Sequence, residues 1–518
     1  MTLFLNGKIY VGQGHGVEAL AVSNGRILAA GTNRDLIAQF PSFKHIDLEH
    51  RRVLPAFTDA HTHFLAYCLK QDQLDFNGLT SKENVLELVR KKVIHTPKGQ
   101  WIQGSGWNQN LWNPVKYPSK EDLDAVAPDH PVCLEARDAH TSWVNSAALK
   151  KAGITRVTTF DSTGEILKNA DGDLSGIIKE EARRLIWKHI AEPTEEQRLN
   201  ALRNGMNLAY AQGLSGVHCM ETIPDWKAYQ TLHRLDELKL RVSFYFPIRY
   251  LDRVIELGLK SGLGDEWLRF GGMKIFLDGT LGSQTAHMIE PFEGSDNFGT
   301  EILTEDSVND LVLRAAQNDI ACAIHAIGDR ANRKALNAFS SARKKLSEKK
   351  LRQRIEHCQL LNPEDILRFA ELGVIASMQP IQIPEDIDTA NKFWGERCRY
   401  AYPFRSLLQS KAVLVFGSDV PIETCNVFEG IFAALNRSKR GEDASWIPEQ
   451  KIELHEIIDA YTTGSAFASG EESIKGSLSA GKVADFMVLS EDIFNIPAIV
   501  IPKIKVHMMV IGGEKVYG

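Results

Sequence analysis

No apolar run in the 518 residues approaches the roughly 20 needed to cross a bilayer, so a helical membrane protein is not expected. No block of basic residues occurs and the formal net charge is −6, which makes nucleic acid an unexpected partner. Cysteine is sparse. Seven residues (Cys68, Cys133, Cys219, Cys322, Cys358, Cys398 and Cys425) are odd in number, scattered and free of CxxC spacing. That pattern excludes a disulfide framework and suits free thiols in a reducing cytoplasm. There is no internal repeat and no low-complexity tract. The first residues, MTLFLNGKIYVG, hold an Asn-Gly turn and read as a hairpin, not a signal peptide. What is present is ordinary for a large globular chain: 43% hydrophobic and 24% charged residues.

The two ends are rich in short strands. Residues 1–52 carry two Asn-Gly turns between apolar runs, and residues 466–518 read likewise, closing on Gly512-Gly513. Neither end has enough strands to bury a face alone, so the two are expected to pair in one small composite β-sandwich. Between them, residues 53–465 alternate strand and helix. Eight β-rich runs are counted: 53–61, 214–220, 241–247, 272–278, 321–325, 353–357, 374–379 and 412–419. Thr194 and Gln197 fit a capping box for one helix. Asn362, Pro363 and Gly373 bracket another. The order predicts an α/β fold with a (β/α)₈ TIM barrel, provided residues of about 64–193 are an insertion between strands 1 and 2.

Five of these runs end in residues that bind divalent metals. His61 and His63 lie two apart, so they share a face at a strand end. His325 and His357 each close a short apolar run. One histidine so placed is more often structural, but two that follow an His-x-His read as ligands. Asp419 ends VLVFGSD, where a carboxylate can hold metal and carry a proton, or cap the next helix. Lys274 is costly to bury as a cation. It reads either as a neutral amine that takes up carbon dioxide to form a metal-bridging carbamate, or as the ion-pair partner of Asp278. Strand ends on one face of a barrel converge on one volume, so these residues can surround one or two ions.

Together PAFTDAHTH, the strand lysine, the two single histidines and the terminal aspartate resemble the amidohydrolase superfamily in its two-metal, lysine-bridged form. RDAHTSWVNSAAL, MKIFLDGTLGSQTA, HAIGDRA and GSLSAGKVADFMVL are similar to its amidohydrolase 3 branch, which includes N-substituted formamide deformylase-like proteins. The resemblance covers essentially the whole chain. It implies His61, His63, Lys274, His325, His357 and Asp419 as ligands of two divalent ions, zinc foremost with iron and manganese open, and Lys274 N6-carboxylated. It implies hydrolysis of a non-peptide carbon–nitrogen bond in a small molecule: an amide, N-formyl, N-acyl or cyclic amide. A hydroxide bridging the metals would attack the carbonyl while Asp419 passes its proton to the departing nitrogen. Deaminase, ester or lactone hydrolase, dipeptidase and N-acyl-amino-acid deacylase are alternatives on the same site. A scaffold that lost chemistry is disfavoured, because all six ligand types are intact. Arg137, His140, Trp143, Asp278 and Gln284 are the candidate substrate contacts, Gln284 standing where relatives often have arginine. A homodimer is a common arrangement in the family.

Overall fold

Eight runs pair in parallel as one sheet, in chain order around it: β1 (Phe57–Thr62), β2 (Leu214–Met220), β3 (Arg241–Pro247), β4 (Leu268–Phe276), β5 (Cys322–Ala326), β6 (Arg354–His357), β7 (Ile375–Met378) and β8 (Leu414–Phe416). The computed structural model describes residues 1–12, 16–137, 140–160, 164–439, 441–442 and 444–518. Every residue of β1, β2 and β5 to β8 is buried, as strands covered on both faces require. The first and last strands meet just past their ends: Asp419 N donates to His61 O and His63 N to Val420 O, both at 2.8 Å. The sheet is thereby a nearly closed barrel, drawn together at the end that carries the candidate ligands. Gly417 makes this approach feasible, since a Cβ there would lie 2.5 Å from His61 N.

The local signals act as expected. Thr194 and Gln197 exchange cap hydrogen bonds at the start of helix Glu195–Ala211. Asn362 accepts from Glu364 N ahead of helix Pro363–Leu372, which ends at Gly373 with φ 64°. Several strand boundaries differ from the sequence reading, and the last strand, Leu414–Phe416, stops three residues short of Asp419. The run 53–61 is two strands: Val53 to Pro55 pair with Phe486–Val488, and only from Phe57 does the chain pair with Leu214. The fourth barrel strand begins at Leu268 and ends at Phe276, so Asp278 lies beyond it.

The terminal segments build two further sheets. One has the order Arg26–Gly31, Ala19–Ser23, Thr2–Leu5, Lys44–Asp47. The other has the order Glu514–Tyr517, Val506–Ile511, Phe486–Leu489, Arg52–Pro55, Lys8–Tyr10, Gly16–Val17. Their shared core joins Phe4, Ile9, Val22 and Val53 to Phe486, Val488 and Val510, so each end supplies the apolar face the other lacks. This layer is tied to the barrel by a buried ion pair: Arg241 on β3 donates from Nε and Nη2 to the two oxygens of Asp485, at 2.5 and 2.9 Å.

Residues Cys68–Ala201 form a second compact unit, distinct from the unit of Met1–Tyr67 and Leu202–Gly518. Its six-stranded sheet runs Gly164–Lys168, Leu174–Glu180, Thr141–Val144, Val132–Ala136, Ile102–Trp107, Leu74–Asp75. Trp107, Trp112 and Trp143 pack with Val85 and Val89 of helix Lys82–His95 in its core. No helix among the described residues is long and apolar enough to cross a membrane.

Removing one partner of a buried ion pair leaves the other charge uncompensated. Asp485→Ala should therefore cost about 3 kcal/mol, read as a lower urea midpoint for unfolding. An unchanged midpoint would show that Arg241 finds full compensation from Glu266, whose carboxylate lies 3.6 Å away.

Candidate metal centre

A cavity of about 400 Å³ opens at the ligand end of the barrel, and all six candidate metal residues line it. One ligand atom each of His61, His63 and Asp419 lie within 4.8 Å of one another, the group best placed to hold an ion among the described residues. Asp419 Oδ1 is 3.5 Å from both His61 Nε2 and His63 Nε2. Lys274 Nζ is 3.4 Å from His61 Nε2. The His357 ring centres 5.0 Å from that of His61 and 4.4 Å from that of His325. Donors from β1, β4, β5, β6 and the turn after β8 thus meet in one volume.

Backbone geometry aims two of them. His357 and Asp419 sit at φ 75° and 62°, a region that non-glycine residues enter at a cost of about 1–3 kcal/mol. In a regular strand Glu356 and His357 would face opposite sides. The left-handed turn at His357 breaks that alternation at the strand's last residue. Asp59 pins the neighbouring ends, accepting from His61 N at 3.1 Å and Ser418 N at 2.9 Å. Burial raises its carboxyl to about 6.

Three histidines have one ring nitrogen taken from behind, which leaves the other for a ligand. His63 Nδ1 pairs with Met220 O at 2.8 Å, His325 Nε2 with Gly279 O at 3.0 Å, and His61 Nδ1 with Glu356 Oε2 at 2.5 Å. His357 Nδ1 is buried without a hydrogen-bond partner among the described residues. Burial and the nearby Lys274 hold His325 down to about 3, and burial with His325 alongside holds His357 well below the usual histidine range. Both are neutral at pH 7, the form that binds metal.

Beneath them lies a sealed polar network. Glu356 and Arg354 are both 0% exposed and paired. Arg354 also donates to Ala60 O and Ser377 Oγ, and its Nη1 lies 2.9 Å from His218 Nδ1. Burial pushes the Glu356 carboxyl up, but Arg354 and His61 outweigh it and keep Glu356 ionised. His218 is a core histidine, fully buried. Lys274 is 3% exposed and has no ion-pair partner among the described residues. Burial pulls its amine down to about 8. The alternative pairing with Asp278 is not formed. That carboxylate accepts instead from Ile327 N, Gly328 N and His287 N, and lies 3.5 Å from His325 Nε2.

The substrate-side candidates lie in both units. Asp278 and Gln284 are not among the residues lining the cavity; Thr280, Leu281 and Gly282 supply that wall. Arg137, His140 and Trp143 belong to the second unit. Arg137 and His140 are exposed there, His140 beside Glu180 at 2.8 Å. Trp143 is fully buried in that unit's core and donates to Ser119 O at 2.8 Å. Residues the sequence did not single out include Glu356, Arg354 and Gln382, whose Nε2 is 3.4 Å from Asp419 Oδ2. Arg354 and Glu356 stand in RIEH, a fully buried strand in which two charges face the interior as a pair.

The amidohydrolase family model matches residues 44–517. The Arabidopsis thaliana protein LONG AFTER FAR-RED 3 is 32% identical over 91% of this chain and 84% of its own. N-substituted formamide deformylase of Arthrobacter pascens is 28% identical over 92% of this chain and 90% of its own. A crystal structure of an uncharacterised metal-dependent hydrolase from Pyrococcus furiosus superposes with a TM-score of 0.80 at 29% identity, covering 95% of this chain and 99% of the other.

A carboxylate behind a ligating imidazole fixes its ring orientation and raises its basicity. Glu356→Gln should therefore lower metal affinity by about 10–100-fold in a chelator-competition titration, with the far-ultraviolet circular dichroism unchanged. Unaltered affinity would restrict Glu356 to compensating Arg354.

Proposed function

The chain belongs to the amidohydrolase family, and we propose that it is a two-metal hydrolase of a non-peptide carbon–nitrogen bond: an N-formyl, N-acyl or cyclic amide of a small molecule. The observation that carries this reading is the convergence of six donor side chains from five strand ends on a single cavity. The donor chemistry fits divalent ions. The histidines are neutral or have one nitrogen committed behind them, the carboxylate is shared between two imidazoles, and the lysine is buried without a counter-ion among the described residues. Imidazole-rich donors suit zinc, with iron and manganese also accommodated. Like N-substituted formamide deformylase, whose name states its own substrate, the chain is read as acting on a substituted amide.

His61, His63 and Asp419 would hold one ion, His325 and His357 the other, and a carbamate on Lys274 Nζ would join them. Two divalent cations held there supply Lewis acidity toward the scissile carbonyl and lower the pKa of a shared water to about 7. Asp419 takes the proton of the attacking water and returns it to the departing nitrogen. Gln382 steadies the far oxygen of that carboxylate. The seven cysteines are buried and none is in a disulfide, in keeping with the proposed reducing cytoplasm, and a homodimer is the proposed assembly.

The purified protein should contain about two equivalents of transition metal per chain, and chelation should abolish hydrolysis of an amide panel until metal is returned. Neither bound metal nor metal-activated hydrolysis across that panel would falsify the reading. Lys274→Ala should be inactive and partly rescued by bicarbonate or short carboxylates; full activity without rescue removes the carbamate. Asp419→Asn should keep at least one metal yet lose turnover by about 10²–10⁴-fold. Turnover that tracks only metal content would make Asp419 a ligand and nothing more.

A further inference from the structure

One carboxylate in the cavity has a built setting that the hydrolytic machinery does not use. Asp386 lies in the first turn of helix Ile383–Trp394 and lines the cavity. Both hydrogen bonds that brace it fall on one oxygen: Oδ2 accepts from Tyr402 Oη at 2.5 Å and from Gln359 Nε2. Its other oxygen, Oδ1, has no hydrogen-bond partner among the described residues, and no lysine or arginine pairs with the group there. Gln359 lines the same cavity, and Tyr402 is 1% exposed, so the brace is rigid. Glu385 and Glu423 line the wall as well, whereas Lys274 is the one lysine or arginine among the described lining residues.

The placement sets a distance. Gln382, the N-cap of that helix and four residues before Asp386, reaches Asp419. Residues so spaced are about 5–6 Å apart at Cβ. Asp386 therefore stands about one helical turn from Gln382, the residue that touches Asp419. Phe276, Leu281, Ile327 and Ile422 add apolar surface to the same cavity, fit for a short carbon chain.

We propose that Asp386 selects the substrate by its far end, so that the compound hydrolysed carries an ammonium or similar cationic nitrogen a few carbons beyond its scissile bond. This rests on the reading of the cavity as the hydrolytic site. A carboxylate held in a fixed rotamer with one open oxygen gains a charge-assisted hydrogen bond from a cation. An anionic tail would instead meet the like charge of Asp386 at that end of the cavity. The class is thus aminoalkyl amides, and N-acyl amino acids with a free carboxylate are disfavoured.

The test compares three ligands of one length on the metal-loaded protein: N-(3-aminopropyl)methanesulfonamide, N-butylmethanesulfonamide and 4-(methanesulfonamido)butanoate, none of which the enzyme can hydrolyse as an amide. Calorimetry should show the cationic ligand binding about tenfold tighter than the neutral one, and the anionic ligand weakest. Asp386→Asn should bring the cationic ligand to the level of the neutral one without changing the latter, and Asp386→Glu should retain part of the preference. Equal binding in the wild type, tighter binding of the anion, or a preference that survives Asp386→Asn would overturn the proposal. Because the wild-type ranking is itself decisive, a misfolded variant does not rescue it. Turnover is scored separately with the matching formamides. Cation-selective binding without hydrolysis of any amide would reject the hydrolytic reading and leave the subsite standing, while hydrolysis without cation preference would reject the subsite alone.

Discussion

An ionised glutamate sealed inside a barrel is the constraint from which the centre follows. Glu356 is fully buried and keeps its charge only because Arg354 and the Nδ1 face of His61 surround it. A lone carboxylate in that environment would be strongly disfavoured as an anion. The pairing therefore dictates geometry as well as charge. Arg354 must reach across to Ala60 O and Ser377 Oγ to satisfy its remaining donors, which ties β6 to β1 and β7. His61 must present Nδ1 inward, which leaves Nε2 facing Asp419, His63 and Lys274. The stability of the barrel axis and the orientation of the first ligand are one requirement.

Strain is placed where that axis opens into the cavity. His357 and Asp419 hold left-handed backbone conformations, and Gly417 gives up its side chain so that β8 can lie against β1. These features weaken the fold locally and are tolerated because Asp59 holds both neighbouring chain ends with one oxygen. Most of the strand residues below are buried, so rigidity from the core is transmitted to the residues that bend. Functional residues at strand ends inherit precision from the sheet and freedom of direction from the turn.

Much of this was legible in the sequence, for a definite reason. The barrel strands are short apolar runs separated by capped helices, and the ligand types stand at their ends, where a parallel barrel must bring them together. Boundaries were harder. Val53 to His61 looks like one strand because both halves are apolar; the break appears only when Val53 and Leu54 find partners in Phe486–Val488, more than 430 residues away. The carboxyl-side residues were read less well for the same physical reason. Asp278, two residues past β4, looks like a pocket residue until three backbone amides are seen to occupy it. Trp143 looks like a substrate contact in its motif, yet its indole completes the core of the second unit. Gln382 and Asp386 carry no motif at all. Their significance depends on where one helix starts relative to Asp419, which spacing along the chain does not encode.

Lys274 shows why the donors make sense only as a set. Its amine is buried beside Glu356 and Asp419, whose charges favour the ammonium form, yet desolvation prevails and pulls it down to about 8. Glu356 cannot neutralise it, being committed to Arg354 and His61, and Asp278 is bonded to the backbone. Asp419 is in turn shared by two imidazoles. As a bare amine the lysine has one hydrogen-bonding neighbour among the described residues, His61 Nε2 at 3.4 Å, and the ring of Phe276 beside it. As the proposed carbamate it would bring a second anion to Asp419, and two carboxylates in so small a space repel unless cations lie between them. Neutral histidines cannot provide that positive charge. With the carbamate proposed above, charge balance at the barrel mouth would call for cations among the four imidazoles, which is why the donors are read as a set.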